Sequence, residues 1–504
     1  MASQDNRQSF KRLVVVSNRL PIVLTRNPEG DWEIEPGRGG LVTAMAPVLR
    51  NRGGLWIGWP GTPGELDLSE ALDAASRDVG YRLRPVALTE DEIDGFYYGF
   101  SNEIVWPLFH DLQSRCNFDP GYWRTYCQVN RKFVETIAEN TEPGDYLWIH
   151  DYHLMLVAPG LRELGFNQNI GFFLHIPFPP LDLFVKMPWR FQLLRAMLDY
   201  DMIGFQTSRD RRNFIQCIRA LIKDVETEGR GRVLLIKAGG REIRAGVFPI
   251  GIDYKAYELT ARSAEVADAA WHIHEGLPHR QIILGVDRLD YSKGIPLRLE
   301  AFGTALARYP DLKQNVSLVQ VVVPSRENIP EYQLLRTEIE QTVSQINGEF
   351  TQAGWIPIHY IFRTLDRTEL LAHYRTAEIG LVTPLKDGMN LVAKEYCACS
   401  LEENCVLILS EFAGAAAQLQ RGAILVNPYD IEGVANAIYQ AFRMTPAERR
   451  LRMRRLRQSI RKQDIFWWVD SFLHAAISTH LGSFPVLEDY QPQVMMRKHP
   501  QQPE

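Results

Sequence analysis

Short apolar runs alternate with amphipathic stretches along most of the chain. In the first half they fall at Leu13–Val16, Leu55–Trp59, Tyr146–Ile149, Ile170–His175, Met202–Phe205 and Val233–Ile236. In the second half they fall at Ile282–Val286, Val316–Val323, His359–Ile361, Glu378–Val382, Val406–Leu409 and Ala423–Val426. Strand-length runs separated by helical periodicity predict α/β domains, each with a largely parallel sheet. Gly246-Val247-Phe248-Pro249-Ile250-Gly251 interrupts both periodicities and reads as an inter-domain connection. The expected division is therefore 1–248 and 249–462, with a helix over 463–484 packing back on the first domain. The Gln- and Pro-rich stretch 485–504 is expected to be a disordered tail.

One late helix tests the polar side of this pattern. Thr445-Pro446-Ala447-Glu448 reads as its start, with Thr445 as N-cap, Pro446 at the first position and Glu448 closing a capping box. The seven arginines that follow (449, 450, 452, 454, 455, 457 and 461) are expected on a solvated face rather than on nucleic acid, because no aromatics are interleaved. Ile465–Val469 with Phe472-Leu473 forms an apolar stripe at helical spacing, which reads as core.

Composition narrows the function classes. The 504 residues are 45% hydrophobic and carry a net charge of -5, so nothing draws the whole molecule to nucleic acid or an anionic membrane. Phosphate recognition would have to come from local clusters. The six cysteines form no C-x-x-C pair and have no histidine at zinc spacing. No apolar run approaches the roughly 18 residues of a membrane span. A cytoplasmic protein is expected, with small-molecule substrates, no nucleic acid and no membrane; a homo-oligomer is left open.

Candidate chemistry concentrates where strands end. Ile379–Pro384 runs into Asp387-Gly388-Met389-Asn390-Leu391-Val392-Ala393-Lys394-Glu395, which sets a carboxylate, a flexible glycine and free backbone N–H groups at a helix N-terminus. An ordinary turn with Asn390 as N-cap would read the same way. Arg288 and Lys293, in Arg288–Gly294 at the carboxyl end of Gln281–Val286, add two cations suited to a diphosphate. Glu395, two helical turns beyond Asp387, can accept both hydroxyls of a vicinal diol. A nucleoside diphosphate linked to a sugar offers both groups.

The first half has its own set. Ser17-Asn18-Arg19 ends the first strand, and the glycine loop Gly37-Arg38-Gly39-Gly40 opens a helix without being a Walker loop or a dinucleotide fingerprint. Asp151 and His175 each follow a strand-like run. His150-x-x-His153 and Asp199-Tyr200-Asp201 resemble metal motifs only formally, since no third ligand clusters with the histidines and the acidic triplet reads as a helix end. No metal and no other cofactor is expected.

Taken together, Val14–Arg19, Gly53–Trp59, Phe100–Asn102, Trp148–His153, Gly171–Pro179, Gly204–Thr207, Arg288–Gly294, Leu381–Tyr396 and Val426–Asp430 closely resemble the trehalose-6-phosphate synthases, retaining glycosyltransferases of family 20. The resemblance runs from Arg12 to Phe472. It implies an α/β molecule of two Rossmann-like domains facing across a cleft, the glycosyltransferase B fold. It implies glucose transfer from a nucleotide sugar, UDP-glucose above others, to glucose 6-phosphate, giving α,α-trehalose 6-phosphate. A glucosylglycerol-phosphate synthase using ADP-glucose and glycerol 3-phosphate, and a catalytically silent sugar-phosphate sensor, are the alternatives.

By that resemblance Arg288 and Lys293 meet the donor diphosphate beside the Leu391 and Val392 amides, and Glu395 meets the ribose. Asp387, Gly388, Met389 and Asn390 hold the transferred glucose with His175 and the Gly39-Gly40 loop. The catalytic set is Asp387, His175, Arg288 and Lys293. Arg19, Tyr97 and Arg326 hold the acceptor phosphate, and Trp59, Trp106 and Asp151 surround the acceptor sugar. A front-face substitution is implied, with the leaving phosphate taking the acceptor proton. Two features depart from the family pattern: Leu20–Arg38 is long, and Leu365 stands where some members place an aromatic residue against the base.

Overall fold

The computed structural model describes residues 11–26, 32–37, 40–52, 54–64, 69–326, 329–478, 487 and 490. Gly39, and all of 485–504 except residues 487 and 490, lie outside the described residues.

The strands are β1 Leu13–Arg19, β2 Ile22–Arg26, β3 Trp32–Pro36, β4 Leu55–Trp59, β5 Arg82–Pro85, β6 Tyr146–His150, β7 Ile170–Phe173, β8 Met202–Phe205, β9 Glu226–Glu228, β10 Val233–Ala238, β11 Arg241–Val247, β12 Gln281–Arg288, β13 Val316–Val323, β14 Ile358–Phe362, β15 Ile379–Val382, β16 Val406–Ser410 and β17 Ile424–Val426. They build a nine-stranded sheet in the order β5-β4-β1-β6-β7-β8-β11-β10-β9 and a six-stranded sheet in the order β14-β13-β12-β15-β16-β17, with β2 and β3 as a separate ribbon. All neighbours in the six-stranded sheet are parallel. In the larger sheet β5 to β8 and β11 run parallel, and only β9 and β10 at one edge are antiparallel. Central strands are buried along nearly their whole length because helices cover both faces of a parallel sheet, which is why they read as unbroken apolar runs.

Each sheet has one place where its order reverses. In the six-stranded sheet the chain winds one way from β12 to β13 and β14, then returns to lay β15 on the other side of β12. The larger sheet does the same with β1 between β4 and β6. Loops leaving neighbouring strands at such a reversal diverge, and the crevice between them is the ligand position of open α/β sheets.

Three expectations need correction. The connection begins after Val247, since Gly246 and Val247 belong to β11, which pairs with β8. Gly246 suits that strand because a Cβ there would enter the ring of Phe248. The last helix spans Ile465–Ile477 rather than 463–484: Asp464 is its N-cap, accepting from the Trp467 N–H at 2.9 Å, and 479–484 lie outside the described residues. This helix lays Trp468 and Phe472 on Trp148, with ring centroids 5.0 and 4.3 Å away, so it covers the first sheet.

Third, Thr445 caps its helix, but Glu448 pairs with Arg452 at 2.9 Å instead of closing the box. Nor are all seven arginines solvated. Arg449 and Arg457 are buried and donate to backbone carbonyls, Arg449 to those of Ala441 and Met444 and Arg457 to those of Cys397, Ala398 and Ser400. Each satisfies carbonyls that a helix end leaves without intrahelical donors.

Candidate active site

At the reversal of the six-stranded sheet, the loops after β12 and β15 bring Lys293 against Asp387, Nζ to Oδ2, at 2.6 Å. Asp387 also accepts from the Met389 amide at 3.3 Å and the Asn390 side-chain amide at 3.2 Å. Burial alone would raise this carboxyl, yet Lys293 and His110 outweigh it and hold it below the usual carboxylate range. Gly294 has φ 64°, and a Cβ there would press on the Thr383 carbonyl, so only glycine closes this loop without strain. Arg288 is half exposed and lies 3.9 Å from Asp290.

Asn390 is the N-cap of the helix Leu391–Cys399, accepting from the Ala393 amide, and its own backbone is left-handed at φ 75°. Asn390 therefore serves as the N-cap that an ordinary strand-to-helix turn would have. The Leu391 and Val392 amides begin the helix with no partner among the described residues. Glu395 accepts from the Tyr374 hydroxyl at 3.0 Å and from Tyr257; burial raises its carboxyl despite these bonds. Leu365 is buried one residue before Asp366, the N-cap of the helix Arg367–Thr376.

At the reversal of the larger sheet the chemistry is different. Arg19, at the end of β1, stacks its guanidinium over Trp59 at 4.5 Å and Tyr97 at 6.0 Å. Asp151 follows β6 with φ 75°, a rare conformation for a residue with a side chain, and its carboxylate accepts from the His175 amide at 3.1 Å. Burial pushes Asp151 up to about 7, against the pull of the backbone N–H groups of Tyr152, His175 and Ile176. His150 Nδ1 lies 3.1 Å from His175 Nε2. Burial takes His175 and His153 down to about 3, so both are neutral. His153 stacks on Tyr97 with ring centroids 5.9 Å apart.

Tyr97 is carried by a π-helix, Ile93–Val105. Gly95 and Gly99 let it approach the next helix, where Cβ atoms would collide with Thr125 and Tyr122. Its Asn102 donates to the Tyr97 carbonyl at 2.6 Å and accepts from the Tyr152 hydroxyl at 3.2 Å. The wide turn ends at Trp106. Runs of i→i+5 bonding are rare and recur at functional sites.

The two halves touch at these loops. A Cβ on Gly388 would overlap the His175 carbonyl, and one on Gly414 would overlap the Gly388 carbonyl. Gly388 has no positive φ; it is needed for close approach, not for flexibility. The Trp106 indole donates to Asp290 at 3.4 Å, and Arg326 lies over the same ring at 4.5 Å while its Nη1 meets the Tyr332 hydroxyl at 2.6 Å. Lys386 pairs with Asp111 across the cleft. Arg326 and Arg19 both act electrostatically on His153, whose ring stacks on Tyr97.

The structure thus gathers Arg19, Trp59, Tyr97, Trp106, Asp151, His175, Arg288, Arg326, Lys293 and Asp387 along one cleft, with Gly388–Val392 and Glu395 on the second wall. Gly40 opens the helix Gly40–Arg52. Pattern alone assigns no role to His110, Asp290, Tyr332 or Lys386: Asp290 and Lys386 lie inside segments that carry the family resemblance, whereas His110 and Tyr332 are marked only by nearness in sequence to Trp106 and Arg326. Asp201 pairs with Arg162 at 2.7 Å and Arg241 at 2.9 Å, which makes the acidic triplet a structural knot. Among the described residues no three His, Cys, Asp or Glu side chains are grouped to hold a metal ion, and no helix is long and apolar enough to cross a membrane.

Comparison with known proteins gives one answer. The model of glycosyltransferase family 20 matches residues 11–477. A trehalose-6-phosphate synthase of Mycolicibacterium vanbaalenii is 43% identical over 470 residues, covering 92% of this chain and 96% of the relative. A structure from E. coli bound with UDP-2-fluoro glucose is 36% identical with a TM-score of 0.83, covering 93% of this chain and 99% of its own. An α,α-trehalose-phosphate synthase (UDP-forming) from Burkholderia xenovorans, solved with glucose-6-phosphate, is 35% identical with a TM-score of 0.83, covering 93% and 100%. The chain belongs to glycosyltransferase family 20, and its two facing Rossmann-like domains have the glycosyltransferase B fold.

Proposed function

We propose that this chain transfers glucose from UDP-glucose to glucose 6-phosphate, forming α,α-trehalose 6-phosphate and UDP. The observation that carries this is the contact of the two sheet reversals through Gly388 and His175, which sets a cationic, amide-rich wall, from which Arg326 reaches over Trp106, opposite an aromatic wall bearing Arg19. The names of the relatives support the reaction, and their ligands, a UDP-sugar analogue and glucose-6-phosphate, support one substrate for each wall.

Arg288, Lys293 and the Leu391 and Val392 amides would neutralise the charge that collects on the departing diphosphate, the kind of donor whose removal lowers rate by about 10²–10³. Asp387, ionised by its bond to Lys293, would accept from the glucose hydroxyls, with Gly388–Asn390 beside it. Neutral His175, bonded to His150, would offer its other ring nitrogen to the same sugar. Glu395, fixed by Tyr374 and Tyr257, would take the ribose diol, with Leu365 toward the base and the Gly39-Gly40 loop near the glucose. Arg19, Tyr97 and Arg326 would hold the acceptor phosphate, and Trp59, Trp106 and Asp151 its sugar.

The C1–O bond to UDP breaks, the C1–O bond to the acceptor forms on the same face, and the acceptor proton passes to the leaving phosphate oxygen. No metal is assigned to these steps. A cytoplasmic setting fits six cysteines that are all free thiols.

The test crosses UDP-, ADP- and GDP-glucose with glucose 6-phosphate and glycerol 3-phosphate and follows nucleotide release. Release with UDP-glucose and glucose 6-phosphate is the expected outcome. Preference for ADP-glucose with glycerol 3-phosphate would replace the acceptor assignment, and no release in any pairing would remove the transferase reading.

A further inference from the structure

A second cavity, of about 1090 Å³, opens between the two domains, away from the residues assigned above except for Gly414, which forms part of its wall. Its cations are Arg232 from the first domain and Arg421, Arg455 and Lys462 from the second, and no carboxylate lines it among the described residues.

Arg232 is 4% exposed. Its Nε donates to the Val247 carbonyl at 2.6 Å, while Nη2 is buried with no partner among the described residues. The guanidinium is held between the rings of Phe248 and Trp467, at 4.6 and 4.5 Å. Burial brings it down to about 10, with no anionic neighbour to oppose the shift. The sandwich fastens the last helix to the first sheet, but an apolar side chain would do that without burying an unsatisfied N–H. A second orphan lies on the same wall: Gln418 donates through Nε2 to the Ser459 carbonyl at 3.1 Å, and its Oε1 is buried without a partner.

One orphan is a cationic donor and the other a neutral acceptor. An anion satisfies the first and a hydroxyl the second. The volume is that of a small-molecule site. We propose that this cavity is a second ligand site for a phosphorylated sugar, its phosphate held by Arg232 with Arg421, Arg455 and Lys462, and a hydroxyl donating to Gln418. A ligand there ties the first sheet to the helix Pro446–Lys462 of the second domain. It also sits against Gly414, whose amide donates to the Asp387 carbonyl at 3.0 Å.

The test is calorimetric titration of fructose 1,6-bisphosphate into full-length protein already saturated with UDP and glucose 6-phosphate, which occupies the cleft. A single further binding event per chain is expected. It should weaken by at least about tenfold, or ~1.4 kcal/mol, in the R421Q/R455Q/K462Q variant, whose altered side chains are exposed and whose melting curve checks the fold. An R288Q variant, altered in the cleft, should bind as the parent does. Absence of the event, equal binding in the triple variant, or loss in R288Q alone would each overturn the proposal.

Discussion

The two sheets solve the same topological problem with opposite electrostatics. At the reversal in the second domain, the paired groups are ionised: Lys293 against Asp387 at 2.6 Å, with Arg288 half exposed beside them. At the reversal in the first, the buried groups are mostly neutral: His150, His153 and His175 are all driven down by burial, and Asp151 is driven up to about 7. A diphosphate brings its own charge and needs a fixed countercharge. A sugar brings hydroxyls and needs donors and acceptors of fixed orientation, which neutral imidazoles and indoles supply with less desolvation penalty than an ion. On the proposed assignment of donor and acceptor, the chemistry of each wall therefore matches what its ligand would carry.

The sharpest way to break this comparison is to remove the charge from the ionised side. Asp387→Asn keeps the shape but leaves Lys293, only 12% exposed in its side chain, without its anion. On the proposed assignment of Asp387 to the reacting sugar, we expect a fall in kcat of about 10³ or more, since the change also frees Lys293 from its fixed position. Nucleotide release measured beside a melting curve decides it. Activity within tenfold of the parent, in a folded variant, would show that the ion pair is only structural.

The contact between the walls comes next. Gly388→Ala places a methyl group on the His175 carbonyl and must part the loops. A displacement of about 1 Å at the reacting centre costs about 10²-fold in rate. The effect should fall on kcat, with UDP affinity by calorimetry nearly unchanged, since the part of the loop proposed to hold the nucleotide lies beyond it. An equal loss in both would place the disturbance in the second domain alone.

These tests also mark what the sequence could carry. Strand-length apolar runs were legible because both faces of the sheets are buried, and even Leu55–Trp59, Met202–Phe205 and Val316–Val323 keep the bounds read from pattern. Arg288, Lys293 and Asp387 were legible because charge at a strand end is conspicuous. Their pairing was not, since an ion pair across two loops depends on the strand order. The π-helix over Ile93–Val105 escaped because i→i+5 bonding leaves no mark in a hydrophobic period of 3.6. Gly388 was visible as a glycine, but the His175 carbonyl that requires it stands more than two hundred residues away. Composition places Arg449 and Arg457 on a solvated face, whereas only the packed helix ends show the carbonyls they serve.

The smallest effect sharpens the neutral side. Asp151, raised to about 7 by burial, is protonated through much of the weakly acidic range. If its ionised form accepts from the acceptor hydroxyls, kcat/KM for the acceptor should rise with pH through about 7 and fall by up to about tenfold per unit below it, the slope of one proton. Asp151→Asn should flatten that limb, since it removes the ionisable group while keeping the shape of a side chain already held at φ 75° and ψ 168°. Stability should move the other way. The folded protein holds this proton between about 4 and 7 where the unfolded chain does not, so ionising Asp151 costs stability as pH rises through that window. The neutral histidines act in the reverse sense: His153 and His175 at about 3 and His110 at about 4 refuse protons that the unfolded chain takes up below its ordinary histidine range, so their contribution is lost as pH falls. A melting-temperature profile of the parent and of Asp151→Asn separates the two. The variant should gain most near pH 7 and little near pH 4; a gain confined to acid would mean that Asp151 is ionised throughout and that the first wall carries a fixed charge after all.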